Sequence, residues 1–142
     1  MKNLKLALKY FLLAYLIGTI VGFVTFYIHL TVMWIALFTV MPVVFGYFFY
    51  LYLKNSKCTK ENSFRETNKL ILFWIVVSFA LDGLVYIAVI PIIFGHQSNW
   101  TFFIDQSPWI WLNYGTLIML GHISRLIYIK RLKNNKINLV KK

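Results

Sequence analysis

The chain has 142 residues, of which 60% are apolar and 13% charged, with a mean hydropathy of +0.69. Soluble domains run near half apolar and about a quarter charged, so a water-soluble fold of this length could not hide so much apolar surface. The net charge of +11 would suggest a nucleic-acid binder in a soluble chain, but the basic residues fall in three blocks separated by apolar runs.

Lys2, Lys5 and Lys9 precede a run from Tyr10 to Leu53 that contains no Asp, Glu, Lys or Arg. At ~1.5 Å per helical residue and ~30 Å of hydrocarbon, about 20 residues make one crossing. The run therefore predicts two helices, about 8–28 and 32–53, joined by a tight turn at Ile28 to Thr31. The apolar stretch outlasts the about 7–15 residues of a secretory signal and lacks a small-residue cleavage site, so it reads as an uncleaved signal-anchor. Ala14, Gly18 and Gly22 recur at four-residue spacing and predict a packing face, used by a neighbouring helix of the same chain in preference to a second copy. Pro42, halfway along the second helix, crowds the carbonyl of Phe38. A kink is expected there, with Thr39 placed to satisfy the freed carbonyl.

The second block, Lys54, Lys57, Lys60, Arg65 and Lys69, predicts a basic loop over 54–69. It holds the lone Cys58, expected to be a reduced thiol. A third helix, about 70–94, is interrupted only by Asp82 and ends at Pro91 and Gly95. After a loop over 95–107, a fourth helix spans about 108–129, with Ser107 as its cap and Pro108 as its first residue. The last block, Arg125, Lys130, Arg131, Lys133, Lys136, Lys141 and Lys142, makes 130–142 a basic tail.

The expected fold is all-α: one transmembrane domain over 1–142, a four-helix bundle of two antiparallel hairpins. Short loops rich in Lys and Arg stay cytoplasmic, so both termini are expected in the cytoplasm of a cell, with the protein multi-pass in its membrane. The opposite face carries Trp34, Trp100, Phe102, Phe103, Trp109 and Trp111, suited to an interfacial belt. Asn99 to Ile104 is too short to cross and too apolar for a free loop, which predicts an interfacial segment or a lid.

Asp82 is the most informative residue, because an Asp at the centre of a membrane helix costs about 2.5–3.5 kcal/mol on the insertion scale. Four-residue spacing puts Trp74, Ser78, Asp82 and Tyr86 on one face. Taking Lys69 and Lys130 as marks of equal depth, the ~1.5 Å rise places Asp82 ~20 Å in, His122 ~12 Å and Arg125 ~8 Å. His122 is therefore the expected partner of Asp82. Tyr86 and Tyr114 come out together at ~25 Å by the same rule. Tyr114, Ile118, His122 and Arg125 share one face, with Arg125 expected to snorkel to the boundary. The candidate intramembrane polar site is thus Asp82, Ser78, Tyr86, Tyr114, His122 and Arg125.

No nucleotide-binding glycine loop, cysteine pair, zinc-protease helix or nucleophile elbow occurs. His29, His96 and Asp105 lack ligand spacing, so neither a metal nor a cofactor is expected. The expected partners are anionic lipid headgroups at the basic face, and a second copy or another membrane protein; nucleic acid is not among them. These features point first to a non-enzymatic accessory, regulatory or protective subunit that binds partners within the bilayer. The alternative is a small oligomeric proton- or cation-coupled transporter or channel working through Asp82. A third reading is a membrane enzyme acting on lipid or isoprenoid substrates through Ser78 and His122.

Overall fold

The computed structural model describes residues 1–140 and consists of helices, with no strand among the described residues. Helix α1 covers Leu4–Phe26, α2 Leu30–Asn55 and α3 Lys60–Asp82; a π-helical segment follows at Gly83–Val89 and runs into the short α4, Ile90–Ile93. A loop with the single turn α5, Phe102–Asp105, leads to α6, Trp109–Val140. Three rods, α1, α2 and the one from Lys60 to Ile93, are long and apolar enough to cross a membrane. Large apolar side chains stay exposed along them, among them Val43 at 72% and Leu72 at 64%. Soluble monomers rarely expose such continuous apolar surface.

Each boundary has a local cause. Asn3 caps α1 by accepting from the Leu6 amide at 3.0 Å, and His29 caps α2 through Nδ1, which accepts from the Thr31 amide at 3.1 Å. Helix α2 closes on Lys57, whose φ of 48° lies in the left-handed region, while the Cys58 amide reaches back to the Leu53 carbonyl at 3.3 Å. The expected basic loop over 54–69 is corrected here, because only Ser56 to Thr59 separate the helices. Thr59 accepts from the Asn62 amide, Glu61 suits the positive end of the helix, and Ser63, Glu66, Thr67 and Leu70 bury one face of the added turns. Helix α6 likewise continues through most of the expected tail. Lys136, Lys141 and Lys142 lie outside the residues whose side chains are described. Helix α6 begins at Trp109; Pro108 stands before it, its carbonyl accepting from the Leu112 amide at 3.1 Å.

The π segment is a second departure from the expected continuous α-helix. Its cause is partly Pro91, which lacks the N–H that the Ile87 carbonyl would accept in an α-helix. The Asn99 amide of the following loop fills that place at 3.0 Å, and the Ile90 amide bonds to the Val85 carbonyl five residues back. Gly95 then ends the rod with a φ of 72°.

Helix α1 packs on α2, α2 on α6, and α6 on α3. Ala14, Gly18 and Gly22 are buried in α1, and a Cβ on Gly18 would come within 2.7 Å of the Met41 methyl on α2. The small-residue face is thus occupied within the chain. Helix α2 is continuous through Pro42. Thr39 does not serve the Phe38 carbonyl; its hydroxyl donates to Ile35 and Ala36 at 2.9 and 3.1 Å, the back-bonding reach usual for Thr in a helix.

The core centres on Trp74, which is fully buried. Its ring meets Phe49 at 4.2 Å, Phe45 at 5.8 Å and Phe11 at 5.9 Å. Its indole N–H donates to the Ala7 carbonyl at 3.2 Å and ties α3 to α1. The basic end has its own fastenings: Glu66 accepts from the Lys2 amide at 2.9 Å, and Tyr128 donates to the Cys58 carbonyl at 2.8 Å. Burial pushes the Cys58 thiol up from its ordinary value, and the nearby Glu66 acts in the same direction.

Candidate functional site

The Tyr15 and Tyr114 hydroxyls converge on Asp82. Tyr15, on α1, donates to Oδ1 at 2.8 Å, and Tyr114, on α6, donates to Oδ2 at 2.6 Å. An ionised carboxylate offers about four lone-pair positions, so two remain after these bonds. Among the described residues, no Lys, Arg or His forms an ion pair with it.

Asp82 stands at one end of a cavity of about 720 Å³ that extends to the end of the bundle carrying the α1–α2 turn and the loop before α6. Its walls come from α1 and α2 at Gly18, Gly22, Leu37 and Met41, and from the third rod at Ser78, Tyr86 and Ile90. The two glycines of the packing stripe thus also shape the cavity wall. Trp34 contributes as well; its indole N–H is buried and has no partner among the described residues. Below Asp82 the Trp74 cluster is closed.

The segment around α5 folds over the cavity. Phe102 stacks on Tyr86 with ring centroids 5.1 Å apart and an interplanar angle of 6°, while Phe103 stacks on Phe79 at 4.7 Å and 15°. Trp34 meets Trp109 at 6.4 Å, and Trp111 meets Phe103 at 5.9 Å. Trp100 points away, 81% exposed. The aromatic residues of the loop and its flanks therefore form a cover, held to the rod below by stacking and by the Asn99–Ile87 bond.

The six residues expected to form one polar site divide into two groups. Ser78, Asp82, Tyr86 and Tyr114 all face the cavity. His122 is not the partner of Asp82: it stacks on Phe64 at 5.7 Å, near the basic end. Arg125 joins that second group, donating from Nε to the Ser63 hydroxyl at 3.1 Å with its guanidinium 5.1 Å from the Phe64 ring centre. Tyr114 wins the place beside Asp82 because its long phenol spans the ~5 Å difference in depth, whereas His122 starts ~8 Å lower with a shorter side chain. Ser78 and His122 consequently form no nucleophile–base pair. Tyr15 was not among the expected residues; its sequence signal is a hydroxyl four residues before Thr19, on the same face of α1.

The remaining polar side chains have local work. Ser124 donates to the Gly46 carbonyl at 2.9 Å, joining α6 to α2, and Thr116 bonds to Asn113 in its own helix. His29 caps α2, Asp105 accepts from the Thr101 hydroxyl at 2.8 Å, and His96 lines the cavity. Among the described residues, no three His, Cys, Asp or Glu side chains are grouped to hold a metal. Comparison with protein-family models, curated proteins and solved structures found no match to this chain.

Proposed function

We propose that this chain is a small integral protein of the cell membrane that binds a small apolar molecule without converting it, acting as an accessory, regulatory or protective subunit within the bilayer. In this reading four rods cross the membrane: α1, α2, the rod from Lys60 to Ile93, and α6. Helix α6 is the most polar of them, yet its outer face exposes Ile118, Met119, Ile123, Leu126 and Ile127, as a lipid-facing helix should. All 15 Lys and Arg fall before or in the first turns of α1, around the α2–α3 junction, in the first turns of α3, or from Arg125 onward. That asymmetry supports cytoplasmic termini, contact of the basic end with anionic headgroups, and an outward-facing cavity.

The observation that carries the binding reading is the closed floor. A cavity of ligand size ends at Asp82, and the aromatic packing around Trp74 lies between it and the basic end. A path across the membrane would have to open that packing. The transporter reading draws its support from the doubly bonded carboxylate within a membrane rod, since ionisable groups there often mark proton or cation paths.

Both readings can be tested with protein in sealed liposomes of zwitterionic lipid. A neutral bromonaphthalene should quench tryptophan fluorescence saturably, at about one molecule per chain, and Trp34→Phe should remove most of the saturable part. Proton flux under a pH gradient should equal that of empty liposomes. Quenching that follows lipid partition alone, unchanged in Trp34→Phe, contradicts the binding reading. A sustained flux abolished by Asp82→Asn replaces it with transport.

A further inference from the structure

The cavity has a consistent electrostatic character. From Leu70 to Ser124 the sequence contains no Lys or Arg, while Asp82 and Asp105 both fall in that stretch. The basic residues whose side chains are described lie at the other end of the bundle, beyond the Trp74 packing. Among the described residues, Asp82 is the single acidic side chain lining the cavity, neither Lys nor Arg lines it, and His96 stands in the same lining. A carboxylate withdrawn from bulk water is expensive unless it is paired, and two phenol donors supply hydrogen bonds without supplying an opposite charge. Two of its lone-pair positions are left for an occupant.

The rest of the wall is chemically matched to the same kind of guest. Tyr15 and Tyr114 put their hydroxyls on the acid, and Tyr86, with Phe102 stacked on one face, lines the same cavity. Aromatic faces attract cations through their quadrupole, most strongly where water is excluded. Met33, Leu37 and Met41 offer flexible apolar surface to a body of variable shape.

Resting on the binding reading above, we infer that the occupant is a lipophilic organic cation: an apolar, ring-bearing body with one ammonium group, the ammonium seated at Asp82 among the tyrosines. An ammonium carries up to three donors and fits the two free lone-pair positions, while the body fills the space toward the Phe102 cover. Such molecules also concentrate at membranes, where the cavity is reached.

The test uses three probes with one bromonaphthyl body, bearing an aminomethyl group, a methyl group or a carboxylate, titrated by tryptophan quenching into the full chain in zwitterionic nanodiscs. The amine should bind about 10-fold or more tightly than the neutral probe, and the carboxylate more weakly than either. Asp82→Asn should bring the amine to the level of the neutral probe measured in the same variant. Asp82→Glu should retain a preference for the amine. Equal binding of amine and neutral probe in the parent overturns the cation assignment while leaving the binding reading intact. Saturable binding of none of the three overturns both, and a preference for the amine that survives Asp82→Asn places the cation elsewhere and also overturns the assignment.

Discussion

Trp74→Ala is expected to be among the most damaging single substitutions in the chain, lowering stability by about 3 kcal/mol. The ring is fully buried, meets Phe11, Phe45 and Phe49, and donates to Ala7. In a bilayer the transfer term shrinks, because lipid tails are about as apolar as the core, so the expectation sits at the low end of the range for soluble proteins. The hole and the lost ring contacts remain, and so does the loss of the indole bond to the Ala7 carbonyl. Unfolding by a graded denaturing detergent should show the loss, with Trp100→Ala as the control. Trp100 is 81% exposed, and its removal should change stability by about 0.5 kcal/mol or less. Equal effects of the two substitutions would mean that the Trp74 cluster is not the packed floor of the cavity.

The second large effect concerns the contact between α3 and α6. A Cβ on Gly121 would lie 2.6 Å from both Cδ1 and Cγ1 of Ile71, whereas at Gly115, less than two turns away on the same helix, a Cβ meets nothing within 4 Å. Ala is favoured over Gly in a helix by about 1 kcal/mol, so Gly115→Ala should be neutral or mildly stabilising. Gly121→Ala should destabilise by about 1–3 kcal/mol despite the same propensity gain, because the branched Ile71 side chain or the helices themselves must give way. The same detergent titration separates the two. Parting α3 from α6 should also weaken binding of the naphthyl probes, since the Tyr114–Asp82 bond joins those helices.

The long helices were legible in the sequence because a charge-free run of this length has few other uses, and the chemistry of individual residues set their ends. Gly22 and Ala14 marked the α1–α2 face through spacing alone. The first ten residues of α3 were hidden for the opposite reason: charge density over Lys60 to Lys69 looks like a loop when only hydropathy is weighed. Their helical state depends on the Thr59 cap and on burial of Ser63, Glu66 and Thr67 by tertiary neighbours. The π segment was equally hidden, since it needs both the missing Pro91 donor and an amide arriving from Asn99. At the site, Asp82 was visible as a costly residue in an apolar run. Its partners were not, because depth along an idealised rod says nothing of side-chain length or of which face α1 turns inward. Depth arithmetic favoured His122, whereas the long phenols of Tyr114 and Tyr15 make the bonds.

The most direct test of the account is the sidedness of the cavity. In a Cys58→Ala background, Thr19→Cys places a thiol on the cavity wall and Lys57→Cys places one at the α2–α3 junction. A membrane-impermeant quaternary-ammonium thiosulfonate is then applied to sealed vesicles of known orientation. Thr19→Cys should be modified from the outer face alone, with protection by the naphthyl amine, and Lys57→Cys from the cytoplasmic face alone. Modification of Thr19→Cys from the cytoplasmic face, or of Lys57→Cys from outside, would contradict that sidedness.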